Sequence, residues 1–276
     1  MEKESKLVKK VRRLVRRAGL PQWLHRFGPK KYELWNHVLA LLVRELFRMS
    51  YRRVVSTLKL LGFLCASKSA IQATAKKLPV SLWQQLLAAT LTTGFVSVAA
   101  IDGTGFSRTS PSLYYIRRIG GVFAKRFVKV SILADTRRKK VLSAVVRLLP
   151  AHDVRDVPKL LRQTPCQHKT LVADKGYDSE KIHELCYEKN IQTMIPSRKR
   201  CKKGFYRHKM LKKFRTQTYR RREIIESIFS SIKRKFGSTV QCCRARTVRA
   251  QIFCRLILHN TKINKNQDSG QSLSSR

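Results

Sequence analysis

The chain has 276 residues, with 60 Lys and Arg against 16 Asp and Glu, a net charge of +44, and a hydrophobic share of 43%. That apolar share is ordinary for a globular protein with a real core, while so basic a surface calls for a polyanion, of which nucleic acid is the commonest. A membrane-spanning role is excluded by pattern: the best apolar run, "VLALLV" at 38–43, stops at Arg44, well short of the roughly 18 residues a spanning helix needs.

The N-terminal "MEKESKLVKKVRRLVRR" lacks the uninterrupted apolar segment of a secretory signal. The seven cysteines are odd in number, scattered and without a C-x-x-C pair, which fits reduced thiols in a cytosol. The expectation is a soluble, cytoplasmic protein associated with nucleic acid, with no membrane partner. Cys254 and His259 are spaced as some zinc ligands are, but no second pair accompanies them, and packing explains them better.

Residues 1–94 read as helical, punctuated by Pro21, Pro29 and Pro79. "SYRRVVSTLKLLG" (50–62) has apolar residues at helical spacing and ends at Gly62, and "SAIQATAKKL" (69–78) predicts a second short helix with Ser69 as N-cap. The pair is a candidate helix-turn-helix over 50–78, with Lys68, Gln72, Lys76 and Lys77 towards DNA. An ordinary helical pair with a solvated basic face has the same pattern.

Strands begin at residue 95. "FVSVAAID" (95–102) is a buried-strand pattern ending at an acid, followed by "SLYYIRRIG" and by "RFVKVSILADTRRKKVLSAVVRLL", which breaks at "DTRRKK" as a hairpin would. "KTLVAD" (169–174) repeats the first design, then "DSEKIHELCYEKN" reads as a helix and "IQTMIP" (191–196) as a strand. A strand–helix–strand unit with these hairpins gives an α/β or α+β class with a mixed sheet. The end of the chain, from 263 to 276, is polar and reads as a disordered tail.

Acids are scarce enough for their positions to carry information. None occurs in the 56 residues between Glu45 and Asp102, and Asp102 and Asp174 each stand where an apolar strand runs out. Strand ends in such sheets project side chains into ligand-binding crevices, although aspartate also starts ordinary turns. Carboxylates gathered in a basic groove suit Mg²⁺, which takes oxygen ligands. A pair of such ions can activate water and stabilise a leaving oxygen in phosphodiester cleavage. The third acid comes from "YRRREIIESIFSSIKRKFG" (219–237). On a helical wheel Ile224, Ile225, Ile228, Phe229, Ile232 and Phe236 form one apolar arc, with Tyr219, Arg222, Glu226 and Lys233 together beside it. Glu226 is therefore expected to be held by packing at the core edge, and Glu223 to be a solvated charge. Residues 198–222 hold 13 Lys or Arg in 25 positions and no acid, with Phe205, Tyr206, Phe214 and Tyr219 interleaved. This density predicts a DNA-contact segment, including Lys202, Lys203, Lys212 and Lys213, that orders on binding.

Tyr219, Arg222, Glu226 and Lys233 have the spacing of the Y-R-E-K signature, and "VAAIDGTGF" and "VADKGYDS" resemble the first and second aspartate motifs of DDE transposases of insertion-sequence families four and five. The resemblance covers roughly residues 95–262. It implies an α/β fold in which a ribonuclease-H-like catalytic domain, a mixed sheet flanked by helices, follows a helical, basic, DNA-binding region over 1–94. It also implies catalytic and metal-binding roles for Asp102, Asp174 and Glu226, two Mg²⁺ or Mn²⁺ ions, and Tyr219, Arg222 and Lys233 on phosphates near the cleaved end. The partners would be double-stranded DNA, as terminal inverted repeats and target, and a second copy of the chain. The reaction would be cut-and-paste transposition in a prokaryotic host. Only 51 residues separate Asp174 from Glu226, leaving little room for the large β-insertion of some relatives. A metal-dependent nuclease or recombinase of the same fold without strand transfer, and a non-catalytic basic DNA-binding protein, are the alternatives.

Overall fold

The computed structural model describes residues 6–25, 27, 30–92, 94–108, 118, 127–198, 203–242 and 244–268. These gather into two units: the chain up to Thr90 together with Val240–Lys265, and Leu91–Thr239. The second boundary differs from the sequence reading, which left residues 240–262 with the strands.

The helical unit is built around α2 (Leu34–Leu46), which is buried along almost its whole length. The preceding α1 (Lys6–Arg17) buries Val8, Val11, Leu14 and Val15 and exposes Lys9, Lys10, Arg13, Arg16 and Arg17, while Arg12 is half-buried over the Trp35 ring. Next come α3 (Tyr51–Leu60), capped by the Ser50 hydroxyl accepting the Arg53 N–H at 3.2 Å, and α4 (Lys68–Lys77). The cap of α4 is Ser67, whose hydroxyl accepts the Ala70 N–H at 3.2 Å, and not Ser69, because the helix begins at Lys68. Gly62 ends α3 with φ of 74°, which favours glycine. Lys68, Gln72 and Lys77 are exposed and Lys76 is half-buried. After α5 (Val80–Ala88) the unit is completed by the C-terminal helix Ala245–Asp268, which buries Val248, Phe253, Leu256 and Ile257. That helix runs past residue 263, and residues 269–276 lie outside the described residues.

Charge is buried here as well. Arg44 pairs with Glu45, and the Glu45 Oε2 also accepts from Arg255 Nε and Gln251 Nε2, each at 3.1 Å. The guanidinium of Arg44 lies 4.2 Å from the Tyr51 ring centroid. Partners 206 and 210 residues apart in the chain explain why the C-terminal helix belongs to this unit.

The strand unit starts with β1 (Val96–Arg108), whose Val96 and Ala99–Ile101 are buried, as a continuous apolar run requires. On one side β1 pairs antiparallel with β2 (Phe127–Asp135), and β2 with β3 (Lys140–Arg147). The hairpin falls at "DTRRKK", where Asp135 Oδ1 accepts the Arg137 and Arg138 N–H groups at 2.8 and 3.1 Å. On the other side β1 pairs in parallel with β4 (His168–Ala173), and β4 with β5 (Gln192–Met194). Parallel neighbours need crossovers, supplied by α6 (Val157–Gln163) and α7 (Glu180–Glu188). A two-residue β6 (Thr239–Val240) also pairs with β1, and the order β3-β2-β1-β4-β5 is the ribonuclease-H-like arrangement of a mixed α/β sheet. The strand expected at "SLYYIRRIG" (112–120) lies, Arg118 apart, outside the described residues. No described helix is long and apolar enough to cross a membrane.

The buried Glu45 cluster sets a stability test. Glu45→Gln leaves Arg44 and Arg255 buried without their counter-charge, at a cost of about 3 kcal/mol, whereas the exposed Glu188→Gln should stay within roughly 0.5 kcal/mol of the parent. Urea denaturation midpoints of the two variants check this.

Candidate active site

Two strands bring the first two acids together. In the parallel ladder Ile101 stands opposite Ala173, so Asp102 and Asp174 follow side by side on neighbouring strands. β4 ends there and the chain turns out of the sheet, while β1 continues beside β2 as far as Ser107. Beyond Ile101 one flank of β1 is therefore free of β4. Asp102, Thr104 and Phe106 share one face of β1 by the two-residue period of a strand.

The third acid arrives on a helix. Past β5 come α8 (Phe205–Lys212), α9 (Thr216–Arg220) and α10 (Glu223–Phe236). Tyr219 and Glu226 are not on one continuous α-helix: between α9 and α10 the chain makes three-residue turns, with Arg222 N–H to Tyr219 O at 2.9 Å and Ile225 N–H to Arg222 O at 3.0 Å. The buried stripe of α10 is Ile225, Ile228, Phe229, Ile232 and Phe236, and the helix packs on β1. Lys233 reaches β1 directly, donating to Thr104 Oγ1 at 2.7 Å with its ammonium 5.4 Å from the Phe106 ring centroid.

Glu226 is held differently from the expectation. Its side chain is 57% exposed and is paired with Arg222 at 3.1 Å, one turn earlier. Packing therefore does not fix it, because the apolar stripe runs beside it and its long side chain reaches past the core into solvent. Glu223 is exposed too. The two glutamates are separated by electrostatics: Glu226 acts on Asp102. Burial pushes the Asp102 carboxyl up, the charges of Glu226 and Asp153 push it further, and the Gly103 N–H, donated to Asp102 Oδ1 at 2.8 Å, and Arg222 pull it back. Burial works to lower the Arg222 pKa, but Tyr219, Glu226, Asp174 and Asp102 outweigh it and raise it. Tyr219 is raised by burial first and by Asp174, against Arg222. Asp102, Asp174, Glu226, Arg222 and Tyr219 thus form one electrostatic neighbourhood.

Among the described residues no three His, Cys, Asp or Glu side chains come close enough to form a ready metal cage. The donor set nevertheless fits a hard divalent cation: it is all carboxylate oxygen, and the Asp102 carboxyl, raised first by burial and then by Glu226 and Asp153, is one whose charge a cation would stabilise.

The basic segment is already ordered between residues 203 and 222, contrary to the expectation of ordering on binding. Its acid partners lie outside it. The buried Asp178 accepts from Arg207 Nε at 2.8 Å, the Arg198 N–H at 2.9 Å and His183 Nε2 at 3.2 Å, and Glu180 accepts the Tyr206 N–H at 2.7 Å. Gly204, at φ 132°, admits this arrangement: a Cβ there would lie 2.1 Å from Glu180 Oε2. Lys203, Lys212 and Lys213 are exposed, Tyr219, Arg222 and Lys233 are half-buried, and Lys202 lies outside the described residues. Sequence reasoning missed Asp178 and Glu180 as anchors. Their signal was present in "DSEKIHE", where acids cluster just ahead of an acid-free basic run.

The ribonuclease-H-like sheet carries Asp102 within β1, not at its end as the apolar run suggested, at the point where β4 parts from it, with Asp174 just past β4 and Glu226 on a following helix. The transposase DDE domain family matches residues 94–261, more than half of the chain, and the chain belongs to that family. Its structure is similar to one of a piggyBac transposase synaptic complex with hairpin DNA, determined by cryo-EM. The sequence identity is 10%, the match covers 99% of this chain and 75% of that one, and the TM-score is 0.49. No curated protein sequence matches.

The Asp178 cluster predicts an acid-sensitive contribution to stability. Burial raises its carboxyl, but the donors from Arg198, Arg207 and His183 outweigh this and hold it below the usual range. A lowered folded pKa gives stability that is complete above the unfolded value of about 3.9 and is lost as pH falls through the folded one. Asp178→Asn should cost about 3 kcal/mol at neutral pH, a difference that narrows in acid as pH falls below the unfolded value of about 3.9. Urea titrations at neutral and acid pH measure it.

Proposed function

We propose that this transposase carries out metal-dependent cleavage of DNA at the ends of an insertion sequence and joins those ends to target DNA. The cut-and-paste pattern and Y-R-E-K signature are those of insertion-sequence families four and five. The observation that carries the reading is the single electrostatic neighbourhood of Asp102, Asp174, Glu226, Arg222 and Tyr219 at the point where β4 parts from β1.

In this reading Asp102, Asp174 and Glu226 hold Mg²⁺ or Mn²⁺. Two ions bound there would activate the attacking water or hydroxyl and stabilise the leaving oxygen. Arg222 pairs with Glu226 and would turn to a DNA phosphate when Glu226 takes a cation. Its fixed guanidinium fork suits that exchange. Tyr219 and Lys233 contact phosphates near the cleaved end, with Lys233 anchored by Thr104. Lys203, Lys212 and Lys213, together with Lys202, track the backbone further along. The helical unit, with α3 and α4 as a helix-turn-helix, supplies end recognition, and two copies of the chain bring two ends together in the cytoplasm of a prokaryotic host.

Three experiments test this. Asp102→Asn, Asp174→Asn and Glu226→Gln should each lower Mn²⁺-dependent cleavage of labelled end DNA by at least about a hundredfold while keeping DNA affinity, and Glu223→Gln should retain most activity. A strand-joining assay with the parent protein separates a transposase from a nuclease without strand transfer, and wild-type cleavage by either aspartate variant would refute the site. In salt titrations of non-cognate DNA binding, replacing Lys203, Lys212 and Lys213 with Ala should flatten the log–log slope by about 0.9 for each phosphate no longer neutralised. An unchanged slope would remove them from the DNA track.

A further inference from the structure

The strand unit has a cleft set apart from the carboxylates, between α7, β5 and α8, with a volume of about 230 Å³. Thr193 of β5 lines it, and the parallel ladder puts Thr193 opposite Leu171, three positions before Asp174. At about 3.3 Å per residue, that level is roughly 10 Å back along the strands from Asp174. It is also one strand further from β1.

Aromatic rings and lysines surround the cleft. Tyr187, 48% exposed near the end of α7, and Tyr206, at the start of α8, have ring centroids 5.3 Å apart. The Phe205 ring, 71% exposed, follows at 5.2 Å from that of Tyr206. Lys209 sits among them: its ammonium donates to the Tyr187 hydroxyl at 2.7 Å and lies 4.1 Å from the Tyr187 ring centroid and 5.9 Å from that of Phe205. Lys213 adds a second positive charge, and no Asp or Glu is among the described residues of the lining. Its buried polar side chains, His183 and Thr193, are bonded to each other at 2.8 Å.

Single exposed rings are ordinary on a protein surface, but neighbouring rings gathered about an ammonium offer stacking faces and positive charge together. A nucleotide presents the matching pair, a flat base and a phosphate. Within a duplex the faces of the bases are covered by their neighbours, so only an unpaired base can use the rings. With His183 and Thr193 already paired, attraction here comes from stacking and charge and is tolerant of sequence.

We propose that this cleft binds single-stranded DNA, an unpaired base stacking on Tyr187 and Tyr206 with its phosphates on Lys209 and Lys213. The inference rests on the reading of the chain as a DNA-binding protein, and not on the roles given to Asp102, Asp174 and Glu226. Lys203 and Lys212 would meet phosphates of either form of DNA, whereas the tyrosines act only where bases are free.

The test uses the full chain in EDTA, so that nothing is cleaved, and fluorescence anisotropy with oligothymidylate of about 15 nucleotides and a duplex of equal length. Tyr187→Ala should weaken single-strand binding about tenfold, the loss of one stacked base, and leave duplex binding within about twofold of the parent. Tyr187→Phe keeps the ring and should bind both forms as the parent does. Unchanged single-strand binding by Tyr187→Ala, an equal loss on the duplex, or an equal loss in Tyr187→Phe overturns the inference. Should Tyr187→Ala fail to fold, the parent decides the matter. Irradiated with iododeoxyuridine-substituted oligothymidylate, it should crosslink at Tyr187 or Tyr206, and crosslinks found only elsewhere overturn the inference. If the parent binds neither form, the reading as a DNA-binding protein falls. If it binds both and Tyr187→Ala matches it, only the cleft loses its role.

Discussion

The parallel ladder between β1 and β4 runs until Ile101 meets Ala173, and there β4 leaves the sheet while β1 goes on with β2. Asp102 and Asp174 are the residues at that parting. That placement has a cost: burial is unfavourable for the Asp102 charge, and the nearby charges of Glu226 and Asp153 add to it. The sheet holds them there because its hydrogen bonds and buried strands outweigh the penalty. The face of β1 that carries Thr104 and Phe106 gives α10 a surface on which to pack, and that docking is what delivers Glu226, Arg222 and Lys233 to the same place.

A chain with 60 basic and 16 acidic residues uses its acids in two distinct ways. Glu45, Asp156 and Asp178 are buried and each accepts from arginine, so they fasten segments that positive charge would otherwise spread apart. Asp102, Asp174 and Glu226 are instead served by one shared arginine, Arg222. Charge compensation is therefore nearly complete at the structural acids and incomplete at the site. An incomplete site is what a cation or a phosphate can finish.

Much of the strand unit was legible in the sequence. The apolar runs before Asp102 and Asp174, the turn at "DTRRKK" and the helix after Asp174 all recur as β1, β4, the β2–β3 hairpin and α7, because each is set by local burial pattern and turn chemistry. The spacing of Tyr219, Arg222, Glu226 and Lys233 grouped residues that lie on α9, on the turn after it and on α10. A wheel drawn through all four assumed one unbroken helix, whereas the turns between α9 and α10 re-aim Tyr219, and the exposure of Glu226 depends on how far its side chain reaches. The order of residues 203–222 was hidden for another reason: Arg207 takes its partner from Asp178, 29 positions earlier.

The sequence alone determined the class of partner, the candidate acids and the alternation of strand and helix, since charge, apolar periodicity and strand-end position are properties of short segments. Only the tertiary structure decided which strands are neighbours, that the C-terminal helix closes the helical unit through Glu45, and that Glu226 rests on Arg222. Each of those depends on contacts between residues far apart in the chain, whose pairing is chosen by the packing of the whole unit and not by any local preference.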